Sequence, residues 1–508
     1  MNIKEAKQEI INTIQAYLLK DETGAYEIPI ERQRPILLIG APGIGKTAIM
    51  EQIARECNIN LVSYTITHHT RQSAIGLPFI SQREYGGKTY SVTEYTMSEI
   101  IAAIYEQIEK TGISEGILFL DEINCVSETL APTMLQFLQY KTFGSHRIPE
   151  GFIIVTAGNP PQYNKSVRDF DIVTLDRLKY MECEEDFGVW KEYAYRVGIH
   201  GAILAYLEIK KENFYSIWTE LEGRSFVTAR GWEDLSRTLA VYEKLNLPVT
   251  EQLTAQFVQN QEIAKDFAIY YELYQKYKTV YHVWDILNGS FPEDTEGLKR
   301  APFDEKLSLL GLLVDSLNQQ FRAYVQNLEK QRGVFEQLQF LKNDLAAKKG
   351  SADEILKRLI AGKAYLFEKN KQSKMIGKEE EKTTALVLLE LEDYLKMLTL
   401  ETGKAAETSE GQSGFEKISG RFAENEAKRQ EEITRTGKAL SNVFEFLVRT
   451  FGEGQEVVIF LSELSAGYYS MRFLSECGNE AYEKYNRLLL LKDQRQSMQK
   501  EVEEFLLK

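Results

Sequence analysis

An α/β fold, built on a parallel sheet with helices on both faces and followed by an all-helical region, is what this chain of 508 residues predicts. Three observations carry the prediction. Between residues 35 and 175 short apolar runs alternate with helical stretches, the pattern of strands covered on both sides and joined by crossover helices. The first run opens directly into residues 40–47, GAPGIGKT, a complete GxxxxGK[ST] loop ahead of a helix-like segment at 48–57. Beyond about Cys183 the β signal fades and helical periodicity takes over.

The elements follow in order. The N-terminal stretch MNIKEAKQEIINTIQAYLL is amphipathic and carries acidic residues, so it reads as a helix of the fold and not as a signal peptide, which needs a continuous apolar stretch and a small-residue cleavage site. The strand candidates are PILLI, NLVSYTI, GILFL, GFIIVTA and DIVTL. Between the second and third lies GLPFISQREYGGKTYSVTEYT, two alternating segments around Gly86 and Gly87, which predicts a β-hairpin. FGSHRIPEGF, just before the fourth strand, predicts a shorter one. Residues 186–281 supply helices such as WKEYAYRVG, AILAYLEIK and ARGWEDLSRTLAVYEKL, consistent with a helical lid.

Residues 288–305, rich in Gly, Pro and charge, mark the expected boundary before a wholly helical region. There Leu310, Val314, Leu317, Phe321, Tyr324, Leu328, Gln331, Phe335, Leu338, Lys342 and Leu345 alternate by four and three residues, predicting a long helix with a narrow apolar seam. Leu488, Leu491, Arg495, Met498, Val502 and Phe505 repeat the pattern. The aromatic and polar members favour an antiparallel hairpin within one chain over a parallel zipper. The polar stretch 401–414 reads as an exposed or disordered link. The expected domains are 1–183, a nucleotide-binding core; 184–285, the lid; and 305–508, a helical domain suited to partner docking.

Composition narrows the classes. Against 61 Lys and Arg stand 75 Asp and Glu, a net charge of −14, so no global basic field collects nucleic acid or anionic lipid. Four cysteines lie far apart without metal-ligand spacing, which argues against a zinc site or disulfide framework and for a reducing, cytoplasmic setting. No apolar run approaches the roughly 18 residues of a membrane span.

The loop itself is chemically explicit. Gly40, Gly43 and Gly45, with Pro42, Ile44 and Ala48 around them, let backbone N–H groups turn inward on a triphosphate; Lys46 can reach the β and γ phosphates, and the Thr47 hydroxyl can hold Mg²⁺. GILFL ends in Asp121, expected in the outer shell of the metal, and Glu122, placed to polarise the attacking water. Asn159, in VTAGNPPQYN, can hold that water and contact the γ-phosphate; a turn Asn ahead of two prolines is the plainer reading in isolation.

With GAPGIGKT, FLDEIN, Asn159 of AGNP, Arg177 of LDRL, Arg230 of TARGW and the hairpin near Gly86 in this order, residues 1–285 resemble the MoxR branch of the AAA+ superfamily, the helix-2-insert clade. The resemblance implies an ATPase using ATP and Mg²⁺, with catalytic Glu122, Asn159 and Arg177. Arg177 would be the arginine finger that enters a neighbour's site in a ring, usually a hexamer; Arg168 in SVRDF competes for that role. Arg230 would be sensor 2, a contact from the lid to the γ-phosphate of its own subunit. The resemblance also implies a chaperone-like remodeller of a client protein bearing a von Willebrand factor A domain. A nucleic-acid-linked NTPase like McrB and a nucleotide-binding scaffold with little turnover remain alternatives. Where the family often has DEINRA, this chain has DEINCV, which leaves the role of the basic residue open and makes Cys125 a packed side chain before a reactive one. His68 and His69 suit loop hydrogen bonding, with a pore-lining role as the alternative.

Overall fold

The computed structural model describes residues 1–68, 74, 76–143, 146–163, 167, 170–220, 223–292, 296–401 and 410–487. Two compact units divide the chain. The first comprises Met1–Val189 with Thr228–Arg230 and Lys369–Gly377; the second comprises Trp190–Val227, Gly231–Glu368 and the described residues from Lys378 onward.

In the first unit, strands β1 (Ile36–Gly40), β2 (Asn60–Thr65), β5 (Gly116–Asp121), β8 (Phe152–Gly158) and β9 (Lys179–Cys183) form one sheet in the order β2-β5-β8-β1-β9. Every pairing in it is parallel. Side chains alternate across a strand, and the burial follows that rule. Ile36, Leu38, Ile117, Phe119, Ile153 and Val155 pack on one face with helices α1 (Ile3–Leu18) and α2 (Lys46–Glu56). Leu37, Leu118, Leu120 and Ile154 pack on the other with α3 (Glu99–Thr111) and α4 (Ala131–Tyr140). Burial on both faces is why β1, β5 and β8 read as unbroken apolar runs. Asn2 caps α1 in a capping box with Glu5, fixing the helix start that the amphipathic pattern implied.

The predicted hairpin is β3 (Pro78–Tyr85) with β4 (Lys88–Tyr95), joined by Gly86 and Gly87 at φ 61° and 76°. Two successive positive φ values need glycine and match the strand twist. The shorter hairpin pairs β6 (Thr142–Phe143) with β7 (His146–Arg147).

One strand was misplaced by the sequence reading. DIVTL is not the fifth strand: Ile172–Leu175 is a helical turn whose Asp171 side chain accepts from the Thr174 N–H. A capping Asp overrode the β-branched preference. The fifth strand is KYMEC, β9, with only Met181 and Cys183 fully inward at the sheet edge. Arg177 therefore precedes that strand and does not follow it.

The second unit is mostly helical but includes an unpredicted hairpin, β10 (Ser216–Glu220) with β11 (Gly223–Val227). Helix Gly201–Ile209 is buried almost throughout, and Gly311 of helix Phe303–Ala346 crosses it so closely that a Cβ there would stand 2.7 Å from the Ala205 Cβ. The two longest helices, Phe303–Ala346 and Glu410–Phe451, run antiparallel: Asn327 donates to Glu432 at 3.0 Å, and the Phe335 and Phe422 rings stand 6.0 Å apart.

The heptad reading holds through Leu310, Val314, Leu317, Phe321, Tyr324, Leu328, Gln331 and Leu338. It fails at Phe335 and Lys342, which are exposed, because Val334 and Leu341 supply the inward positions there. Nor is the seam narrow, since Leu309, Leu312, Leu313 and Val325 are buried too, with helices on several sides. Residues 402–409 of the polar link lie outside the described residues, and from Glu410 the chain is already helical. The heptad at 488–505 also lies outside the described residues. Among the described residues no helix is long and apolar enough to cross a membrane.

Candidate functional site

Strand β1 breaks at Gly40 and the chain re-enters a helix at Lys46. Gly43 and Gly45 take φ values of 78° and 100°, a region where a side chain would be strained, and Gly45 stands at the start of α2. Its first N–H groups and the helix dipole face outward, as an anion site requires. Gly40 is also held by packing: a Cβ there would meet the Cys183 carbonyl oxygen of β9 at 2.8 Å.

Lys46 is buried against the loop it closes. Its ammonium donates to the carbonyls of Gly40 at 2.7 Å and Ala41 at 2.9 Å, and to Asn159 Oδ1 at 2.9 Å. Desolvation pulls its pKa down to about 8, opposed by the Asp121 carboxylate and assisted by the Arg230 charge. The sequence-predicted Lys46 and Asn159 are thus brought into direct contact, because β8 lies next to β1 in the sheet. The strand order reverses between these two strands, the crevice at which ligands of open α/β sheets bind.

Thr47 Oγ1 donates to Asp121 Oδ2 at 2.9 Å, and the other Asp121 oxygen accepts the Glu122 N–H at 2.9 Å. These are the hard oxygen donors that Mg²⁺ takes together with substrate phosphates, for which one or two protein groups suffice. Glu122 itself leaves the strand with φ 57°, a left-handed backbone that turns its side chain off the sheet register and stores strain. Its carboxylate accepts from Thr67 Oγ1 at 2.9 Å.

Arg230 lies beside the phosphate loop within the same unit: a Cβ on Gly43 would meet Thr228 Cβ at 3.1 Å and Arg230 Cβ at 3.5 Å. Pro42, Ile44 and Ala48 complete the loop, with Ile44 packed against the α1 and α2 face. Arg177 is apart from this cluster in its contacts: its exposed guanidinium donates to Gln139 Oε1 of α4 at 2.7 Å. Arg168, His69 and the side chain of His68 lie outside the described residues.

Two residues escaped the sequence reading. Thr67 sits beside the two histidines that drew attention, and nothing in its own type signals a partner 55 residues away. Asn124 was inside the quoted FLDEIN but was assigned no role; its amide donates to the Asn159 carbonyl at 2.7 Å.

Comparison with known proteins agrees with this geometry over the core. Among curated proteins none matches the chain. Residues 36–174 match the ATPase family associated with various cellular activities (AAA). That span runs from β1 through β8 and holds the phosphate loop, the acidic pair and Asn159, so this part of the chain is similar to an AAA ATPase domain.

Proposed function

We propose that the protein is a ring-forming, MoxR-like AAA+ ATPase that remodels or activates a partner protein in the cytoplasm. The carrying observation is the convergence of Lys46, Thr47, Asp121 and Asn159 at the carboxyl ends of three adjacent strands. Hydrolysis of ATP needs a held triphosphate, a polarised water and compensation of developing charge. The loop N–H groups and Lys46 bind the phosphates. Mg²⁺, held by Thr47 with Asp121 in its outer shell, would offset phosphate charge when bound. Glu122 takes a proton from the attacking water as its oxygen bonds to the γ phosphorus and the bond to the bridging oxygen breaks, releasing ADP and phosphate. Asn159 orients that water. Arg177 of the neighbouring subunit completes the site in a hexameric ring; its exposure on the core surface supports this role.

Arg230 reports the γ-phosphate to the lid, segment 184–285, and the described parts of 305–508 provide the partner surface. Most of the lid segment packs in one compact unit with the C-terminal helices, which supports a lid that moves together with its partner-docking region. The client is a protein with a von Willebrand factor A domain.

The test is twofold. Steady-state ATP turnover of the assembled protein is measured beside Glu122→Gln. The ATP-locked Glu122→Gln protein and a Lys46→Ala control are then used for capture from native lysate. Recovery of a von Willebrand A-domain protein with the locked form alone supports the reading. DNA-stimulated turnover moves it to a nucleic-acid motor, and absent turnover moves it to a scaffold.

A further inference from the structure

We propose that Asn124 is a positioning residue for Asn159, coupling the turn that carries Glu122 to the amide that orients the water; this rests on the ATPase reading above. Asn124 stands in the 3-10 turn Ile123–Cys125 immediately after Glu122. It is 5% exposed. Its Nδ2 donates to the Asn159 carbonyl at 2.7 Å, while its Oδ1 is buried with no hydrogen-bond partner among the described residues. A buried acceptor left unpaired is unfavourable, so packing alone does not select an Asn here; an apolar side chain of the same shape would avoid that penalty. The side chain does something an apolar one could not, which is to donate to Asn159.

Asn159 needs that donor. Strand β8 ends at Gly158, whose register partner on β1 is Ile39, so the sheet supplies nothing further on. Pro160 and Pro161 follow and have no N–H. The Asn159 carbonyl is fixed by Asn124, and with the backbone fixed the side-chain oxygen is aimed at Lys46 Nζ, 2.9 Å away. Gly158 makes room for the arrangement: a Cβ there would stand 2.7 Å from Asn124 Cγ. The hydrogen bond that Asn124 makes goes to the Asn159 backbone. It acts through Asn159.

The experiment measures kcat, KM and ATP affinity, the last with a fluorescent ATP analogue, for the full chain. Asn124→Ala is expected to lower kcat by up to about 100-fold, as small misplacements of an orienting group do, with affinity and KM within about twofold. Gly158→Ala, which displaces the Asn124 side chain, is expected to lower kcat in the same way with affinity retained. In the Asn159→Ala background, adding Asn124→Ala is expected to change kcat no further. Independent, multiplying effects of the two substitutions would overturn the inference, as would an unchanged kcat in Asn124→Ala, or a loss of ATP affinity matching the loss of kcat. A wild-type ring without Glu122-dependent turnover would overturn the ATPase reading and the inference with it; a wild-type ring that turns over beside an equally active Asn124→Ala protein overturns the inference alone.

Discussion

The Lys46 ammonium donates to the side-chain oxygen of Asn159 at 2.9 Å, across 113 residues of sequence. The lysine that would hold the phosphates and the amide that would orient the water are therefore joined directly. An incoming triphosphate competes with this contact and with the two loop carbonyls for the same three hydrogens.

That competition has a proton balance. Lys46 titrates near 8 in the folded protein against about 10.5 in the unfolded chain. Between those values the unfolded state holds the proton and the folded state does not, so the penalty of burying the ammonium is present below about 8 and relieved as pH rises above it. An anionic phosphate favours the charged form. Nucleotide binding near pH 8 is expected to take up protons, and affinity to fall as pH rises through about 8; calorimetric titration in buffers of different ionisation enthalpy reads both.

Lys46→Ala is expected to weaken ATP binding by about 10- to 100-fold, the worth of charge-assisted hydrogen bonds. Glu122→Gln is expected to bind ATP as the wild type does and to hydrolyse almost none. Equilibrium binding beside phosphate release separates the two, and equal turnover by Glu122→Gln and wild type would remove Glu122 from its role.

Thr67 holds the Glu122 carboxylate at 2.9 Å. A donor on Oε2 lowers the basicity of the carboxylate, so Thr67→Ala is expected to raise basal turnover, by up to about tenfold for a hydrogen bond to a charged group. Phosphate release without client is the measurement; a decrease would mean that Thr67 aligns Glu122 instead of lowering its basicity.

Arg177→Ala is expected to leave ATP affinity intact and to reduce turnover of the assembled ring by about 10³-fold, the range of an arginine finger. Mixed rings of Arg177→Ala and Glu122→Gln subunits give a second readout, since turnover reappears only where an intact Glu122 faces an intact Arg177. Normal turnover by the Arg177→Ala ring would return the role to Arg168.

In the helical unit Lys191 bridges Glu208 at 2.6 Å and Glu463 at 2.5 Å, with little solvent around it. Lys191→Ala leaves Glu463 with the Tyr195 hydroxyl and Glu208 with Lys211, and is expected to destabilise this unit by about 3 kcal/mol through the uncompensated Glu463 charge. A lowered denaturation midpoint tests it, and adding Glu463→Leu is expected to recover part of the loss.

The parts of the site that were legible in the sequence are those in which chemistry and backbone are encoded contiguously. The loop around Lys46 needs its glycines within eight consecutive positions, and the acidic pair sits at the end of an apolar run. Contacts that depend on tertiary proximity were invisible: nothing local in Thr67 or Asn124 announces Glu122 or Asn159. The fifth strand was lost because Asp171 turned a β-branched run into a capped helical turn, while the true edge strand, half exposed, lacked the continuous apolar signal of its neighbours. The hairpin Ser216–Val227 was missed for a related reason, since both its strands are short and stand among strongly helical sequence. The heptad register slipped at Phe335 because a helix surrounded on several sides has no single seam to read.

Strand β1 begins the nucleotide loop, yet both its neighbours arrive late: Ile36 pairs with Val155 of β8 and with Lys179 of β9. During synthesis the strand that launches the loop waits, with both edges bare, until more than a hundred further residues have emerged. Parallel pairing of such sequence separation is slow to form and exposed while unformed. The strand that leads into the loop is thus expected to be the last part of the core sheet to close, and a chain halted before Lys179 would present β1 as an open edge to other chains.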